Sequence, residues 1–202
     1  MRISGKLCLV MSLGLCVTGA ICQMAGQQAS SAAPTSGAAS TNSPIRQVDF
    51  RNFSYPTSCS EGDTRFPAAI PVKNGGWGPA NKSDNNSYWV NAPFYGRLLG
   101  GNEEQAVILG DCSLGNGDED EIFVYGMRGG KPQLIQLIKY PDWAPDRDSY
   151  DVTSIAIKND KLLVTYTAGG NHAQPAWSVT RVMIWNGGKF VSGPATRKPY
   201  KP

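Results

Sequence analysis

From residue 94 onward the apolar positions fall into short runs separated by turn residues. Residues 105–110 (QAVILG) form one such run, bounded on both sides by polar and glycine-rich stretches. Residues 121–126 (EIFVYG) lead through Arg128-Gly129-Gly130-Lys131 into 133–139 (QLIQLIK). Residues 151–158 (DVTSIAIK) turn at Asn159-Asp160 into 162–167 (LLVTYT), and 178–185 (SVTRVMIW) turn at Asn186-Gly187-Gly188 into Phe190-Val191. Asn-Gly and Gly-Gly pairs between apolar runs supply the positive φ angles that tight hairpins need. Three hairpins in series predict an antiparallel meander, and no segment shows a sustained 3.6-residue period with caps. Within SVTRVMIW, Val179, Arg181, Met183 and Trp185 share one face and Thr180, Val182 and Ile184 the other, which predicts a central strand. The expected fold is all-β: an antiparallel meander of hairpins forming a sandwich or a partly closed barrel.

The residues before this pattern read differently. Residues 48–56 (VDFRNFSYP) form an extended opening stretch with Phe50, Phe53 and Tyr55. Residues 57–93 are rich in Asn, Gly, Pro and Ser and predict a long irregular loop in which Trp77, Tyr88 and Trp89 are embedded. At the N-terminus, Arg2 and Lys6 precede an apolar run at 7–17 (LCLVMSLGLCV), followed by Thr18, Gly19 and Ala20. That layout is a secretion signal, and it is too short for a spanning helix, which needs about 20 apolar residues. Residues 1–22 are therefore expected to be a signal peptide, 23–44 a disordered Gln/Ala/Ser/Thr tether, and 45–202 a single β-rich domain. Gly19-Ala20-Ile21-Cys22 carries a Cys where a lipoprotein would be acylated, with a bulky Ile before it. A lipid anchor at Cys22 is thus the alternative to plain cleavage.

Loss of residues 1–22 removes two basic and no acidic residues, taking the formal charge from +3 to +1. A chain near neutrality has no net field for nucleic acid, and its membrane attachment would run through Cys22 alone. Of five cysteines, Cys8, Cys16 and Cys22 lie in the signal, leaving Cys59 and Cys112. A lone pair in an exported chain is expected to form a disulfide; two free thiols or a Cys nucleophile are the alternatives.

Residue patterns that carry chemistry are sparse. Asp118-Glu119-Asp120-Glu121, with Asp111 before it, is the densest acidic cluster, but its spacing is not that of an EF-hand, and a solvated turn is the simpler expectation. His172 is the single histidine, in GGNHAQP, and no G-x-S-x-G elbow accompanies it. Ser83-Asp84-Asn85 copies one β-lactamase motif without its companion motifs. No metal and no cofactor is expected, because one histidine and one cysteine pair do not make the usual zinc sets. Trp77, Tyr88 and Trp89 beside Asn81, Asn85 and Asn86 are the candidate ligand-binding group: rings pack on sugar C–H faces and amides supply hydrogen bonds. The alternative places these rings in a lid over one end of the sheet. Trp143 and Trp185 are expected to pack in the core or at an edge.

Two segments resemble a known pattern. YGRLLGGNEEQAVI (residues 95–108) is similar to YGDLTGDGKEEAVV of many exported bacterial proteins, and GNGDEDEIFVYGMRGGKPQLIQLI and IWNGGKFV follow it in order. Residues 48–191 thus resemble exported domains akin to the LppP/LprE-type lipoproteins, a resemblance that carries no activity with it. Arg97 and Gly101 replace the two aspartates of the family turn, leaving Glu103 and Glu104 as its acidic groups, and Ala173-Gln174-Pro175 replaces a Cys-Cys-Pro.

The expected function is that of an exported non-enzymatic module, periplasmic, envelope-associated or secreted, which binds an envelope component or glycan. The alternative is a secreted hydrolase of cell-wall or polysaccharide substrate using two carboxylates such as Asp111 and Glu121. Export is checked by intact-mass measurement of protein expressed with its full N-terminus. A chain beginning at residue 21 or 23, or at an acylated Cys22, is expected, and an uncleaved cytosolic chain would exclude it.

Overall fold

The computed structural model describes residues 42–59, 66–78, 86–114, 118–145 and 149–201. The expected signal peptide and residues 23–41 of the tether lie outside the described residues. Asn42, Ser43 and Pro44, assigned by composition to the tether, belong instead to the folded part: Pro44–Gln47 is a 3₁₀ turn closed by Arg46 N donating to Ser43 O at 3.0 Å. No helix among the described residues is long and apolar enough to cross a membrane.

The architecture is all-β and antiparallel, as the hairpin pattern predicts. Two short strands, β1 (Ser54–Pro56) and β2 (Ala69–Pro71), pair with each other. A six-stranded central sheet contains β3 (Gly76–Trp77), β4 (Asn86–Val90), β5 (Phe94–Gly96), β6 (Gln105–Leu114), β7 (Asp118–Arg128) and β8 (Lys131–Lys139). Its order is β3-β4-β6-β7-β8, with β5 beside the other end of β6. An outer sheet is a four-strand meander, β9 (Ser149–Lys158), β10 (Lys161–Asn171), β11 (Gln174–Trp185) and β12 (Phe190–Pro199), in that order across the sheet. The three turns read from sequence all join neighbouring antiparallel strands. At Asn159 and Asp160 φ is 51° and 56°, the left-handed pair of a two-residue hairpin.

The strands alternate strictly, so the central sheet has two different apolar faces. Val107 and Leu109 of β6 and Ile122 and Val124 of β7 meet Val152, Leu162, Val164, Val179 and Met183 of the outer sheet. Ala106, Ile108, Cys112, Phe123 and Tyr125 turn the other way, against Ile45, Phe50, Tyr55 and Ile70 of the N-terminal segment. A strand buried on both faces reads as a continuous apolar run, which is why QAVILG and EIFVYG show no polar alternation. Trp143 is buried in the first core and Trp185 packs against it. Side chains also close the seams between the sheets. Gln136 of β8 accepts from Phe190 N at 2.6 Å and donates to Phe190 O at 3.4 Å, and Asp120 accepts from Val152 N at 2.5 Å.

Residues 57–93 are not one irregular loop, contrary to the sequence expectation. They contain β2, β3 and β4, strands of two to five residues; β3 pairs with β4 inside the segment, whereas β2 pairs with β1 and β4 also with β6 outside it. Such short strands carry too few residues to display a period.

The N-terminal segment is fastened to the central sheet by an ion pair. Arg46 donates from Nε and Nη2 to the two oxygens of Glu104 at 2.7 and 2.8 Å and lies 4.7 Å over the Tyr95 ring. Glu104 of the acidic turn at 103–104 is thus used for holding Arg46. The Arg46 hydrogen bonds keep the Glu104 carboxyl below the usual carboxylate range, against the opposing effect of burial. A carboxyl whose pKa is depressed in the folded state contributes stability above its unfolded pKa and loses it as pH falls through the folded one. Glu104→Gln is therefore expected to cost about 1–3 kcal/mol near neutral pH, with the gap to wild type closing as pH falls below the ordinary carboxylate range. Urea midpoints across that range check it, and a gap independent of pH would refute it.

Candidate functional site

Period-two alternation divides the candidate residues between the two faces of the central sheet. On the face toward the N-terminal segment, Glu121 of β7 has no solvent exposure. Its carboxylate accepts four hydrogen bonds: from Thr57 Oγ1 at 2.7 Å, Ser58 N at 2.6 Å, Ser58 Oγ at 2.6 Å and Tyr88 Oη at 3.0 Å. Gly110 stands directly opposite Glu121 in the ladder, and a Cβ there would fall on the Tyr88 hydroxyl. The absent side chain is what lets the phenol reach across β6. Burial, and then the adjacent Glu121 charge, push the Tyr88 phenol far above its ordinary value, so it acts as a donor.

The same network delivers the cysteine pair. Thr57 Oγ1 accepts from Cys59 N at 3.0 Å, and Cys112 is the ladder partner of Tyr88. The two sulfurs stand at disulfide distance, with Cα atoms 6.3 Å apart across 53 residues of chain. The cysteine pair expected to bridge is thus brought together.

The three candidate ligand-binding residues are neighbours in the β3–β4 ladder but are divided between its two faces. Tyr88 is fully buried and presents no ring to solvent, which corrects the expectation that it lines a site. Trp77, its ladder partner on β3, is half-buried and packs on Phe66 with ring centroids 5.4 Å apart. Trp89 takes the opposite face and is 57% exposed. Its ring lies over Gly76, the residue opposite it in the ladder, where a Cβ would collide with the indole. That packing of an aromatic ring on a strand glycine fixes an otherwise exposed side chain. Asn81 and Asn85 lie outside the described residues; Asn86 opens β4 opposite Leu114.

Around Trp89 the register assembles a polar corner. Trp89 stands beside Asp111, and Asp111 beside Asp120; Ser87 and Ser113 pair on the next rung of the same face. Directly opposed residues of an antiparallel pair have Cβ atoms about 4.5–5.5 Å apart, so two carboxylates and an exposed indole share one surface. Asp111 and Glu121, the carboxylate pair considered for hydrolysis, point to opposite faces and cannot act on one bond. The acidic run Asp118-Glu119-Asp120-Glu121 is likewise split: Glu121 is buried on one face, and Asp120 binds the Val152 amide on the other. Among the described residues no group of three or more His, Cys, Asp or Glu is placed to hold a metal ion.

His172 sits exposed at the tip of the β10–β11 hairpin, with Nε2 2.9 and 3.1 Å from the Asp151 carboxylate oxygens and its ring 5.5 Å from that of Tyr150. Ser83-Asp84-Asn85 lies outside the described residues. Thr57, Ser58 and Gly110 carry no motif, and no local pattern marked Glu121 as buried.

No family model, curated protein or solved structure matches the chain.

Glutamine at position 121 would offer the four donors one acceptor oxygen and an amide that competes with them. Glu121→Gln is expected to lower the unfolding free energy by about 2–4 kcal/mol, while Glu119→Gln, exposed two residues earlier, changes it by less than about 0.5 kcal/mol. Equal denaturation midpoints for the two variants would contradict the assignment.

Proposed function

We propose that the chain is an exported, non-enzymatic binding module of the cell envelope or extracellular space, akin to the LppP/LprE-type lipoproteins. It takes an envelope component or glycan at the corner around Trp89. The observation that carries this reading is the Trp89 ring itself: more than half exposed, yet held in place over Gly76. A fixed flat apolar surface beside serine hydroxyls and carboxylates suits a ligand with C–H faces and hydroxyl groups, as sugars have. The non-enzymatic part is supported by where the reactive groups are spent. Glu121 holds four donors inside the sheet, and Cys59 and Cys112 face each other.

One observation favours the hydrolase as a second reading. Asp111 and Asp120 are paired on the Trp89 face, and closely spaced carboxylates are the chemistry of glycosidases. The Asp120 oxygen bonded to Val152 N weighs against a free acid or nucleophile there.

Binding of the mature chain to a glycan and envelope-protein panel tests the first reading. Trp89→Ala is expected to weaken the retained ligand by about tenfold or more, at a stability cost of about 1 kcal/mol or less for a ring this exposed. A fall of about 3–5 kcal/mol with unaltered binding would make the ring a packing element and remove its support. Polysaccharide turnover by wild type that is lost in Asp111→Asn would transfer the case to the hydrolase.

A further inference from the structure

Net charge conceals a strong segregation along the chain. All 16 acidic residues precede Lys161, whereas residues 161–202 contain Lys161, Arg181, Lys189, Arg197, Lys198 and Lys201 and no acid. That stretch makes β10, β11 and β12, three of the four strands of the outer sheet. Arg181 turns inward, donating to Tyr166 Oη at 3.1 Å and Gly193 O at 3.0 Å, and the other five cations are exposed. β10, β11 and β12 therefore carry cations and no acid, while the fourth strand of the outer sheet, β9, holds Asp151.

Three of these cations, Arg197, Lys198 and Lys201, lie on β12 or just past it. β12 pairs only with β11, so its other side is a free sheet edge. Tyr200 N donates to Ala176 O at 3.0 Å, carrying the pairing past Pro199 and fixing the chain around Lys198 and Lys201. Two large rings stand exposed there: Trp177, opposite Pro199 in the ladder, at 40%, and Tyr200 at 36%. Lys198 and Lys201 are about 10 Å apart along an extended chain; Lys198 and Tyr200 take one side of it and Trp177, level with Pro199, the other with Lys201, so a polymer lying along the edge itself meets both sides.

We propose that this edge, from Trp177 to Lys198, Tyr200 and Lys201, is a docking surface for an anionic polysaccharide, separate from the Trp89 corner. Ammonium groups attract its carboxylates or sulfates, and the flanking rings pack on its sugar faces. A polymer fits better than an anionic membrane because the cations and rings follow a single strand edge, that of β12, rather than a broad face.

The test is affinity electrophoresis of the full mature chain in gels containing polygalacturonate, with neutral dextran as the comparison. Polygalacturonate is expected to retard the protein and dextran is not. The apparent affinity should fall about tenfold or more between about 0.05 M and about 0.5 M salt, as the Debye length shrinks. The double variant Lys198→Gln/Lys201→Gln should lose about fivefold or more, and Lys73→Gln/Lys131→Gln, the same charge change outside the outer sheet, should lose none. Trp177→Phe should keep binding and Trp177→Ala should weaken it at high salt, where the ring contact persists. Equal losses in the two lysine doubles, equal retardation by dextran, or no retardation by polygalacturonate would each overturn the proposal. So would binding to phosphatidylglycerol vesicles without binding to the polymer, an outcome that assigns the edge to a membrane.

Discussion

A carboxylate buried at Glu121 is the constraint on which the arrangement of this protein depends. The described residues before β3 form a 3₁₀ turn and a two-stranded ladder, and a ladder of that size is marginal by itself. They become a layer because Glu121 accepts from Thr57 and Ser58, Arg46 grips Glu104, and Tyr55 and Phe50 enter the core against Phe123 and Tyr125. Desolvating a carboxylate costs several kcal/mol unless its lone pairs are met, and here four donors meet them. The gain is specificity: an apolar residue at 121 would attract the segment without dictating which residues dock, whereas the carboxylate selects Thr57 and Ser58 and so delivers Cys59 to Cys112.

That fastening also explains why the central sheet can be buried on both sides. With the N-terminal layer on one face and the meander on the other, successive residues of β6 and β7 enter different cores. The consequence for chemistry is separation. Neighbours in sequence such as Tyr88 and Trp89, or Asp120 and Glu121, serve different surfaces, one of each pair structural and the other on the face that carries the corner. The Trp89 corner keeps its polar groups because it lies beyond the apolar residues at which the outer sheet packs, where Asp120 reaches Val152.

The two candidate surfaces belong to different layers and differ in charge. The corner on the central sheet combines an indole with carboxylates and hydroxyls, whereas the β12 edge combines rings with ammonium groups. Acidic and basic residues this well segregated give opposed local fields in a molecule of low net charge, so a net-charge argument against electrostatic partners holds for the whole chain and not for its edge.

Much of the fold was legible in the sequence by itself. Hairpins β7–β8, β9–β10 and β11–β12 follow from local facts, since Gly129-Gly130, Asn159-Asp160 and Asn186-Gly187 adopt turn geometry that depends on few distant residues. The approach of Cys59 to Cys112 likewise needed no more than a count of the cysteines outside the apolar N-terminal run. What the tertiary structure decided is everything that depends on long-range register. Whether Trp89 faces solvent and Tyr88 the core is set by which residues of β6 lie opposite them, and shifting that pairing by one residue would exchange the two. The strands hidden in residues 57–93 are too short to reveal a period, and they exist because β6 offers its edge to β4. The role of Glu121 was equally out of reach. A carboxylate at the head of an apolar run reads as a wet turn until the chain folds back and sets Thr57, Ser58 and Tyr88 around it, contacts that span 33 to 64 residues of sequence.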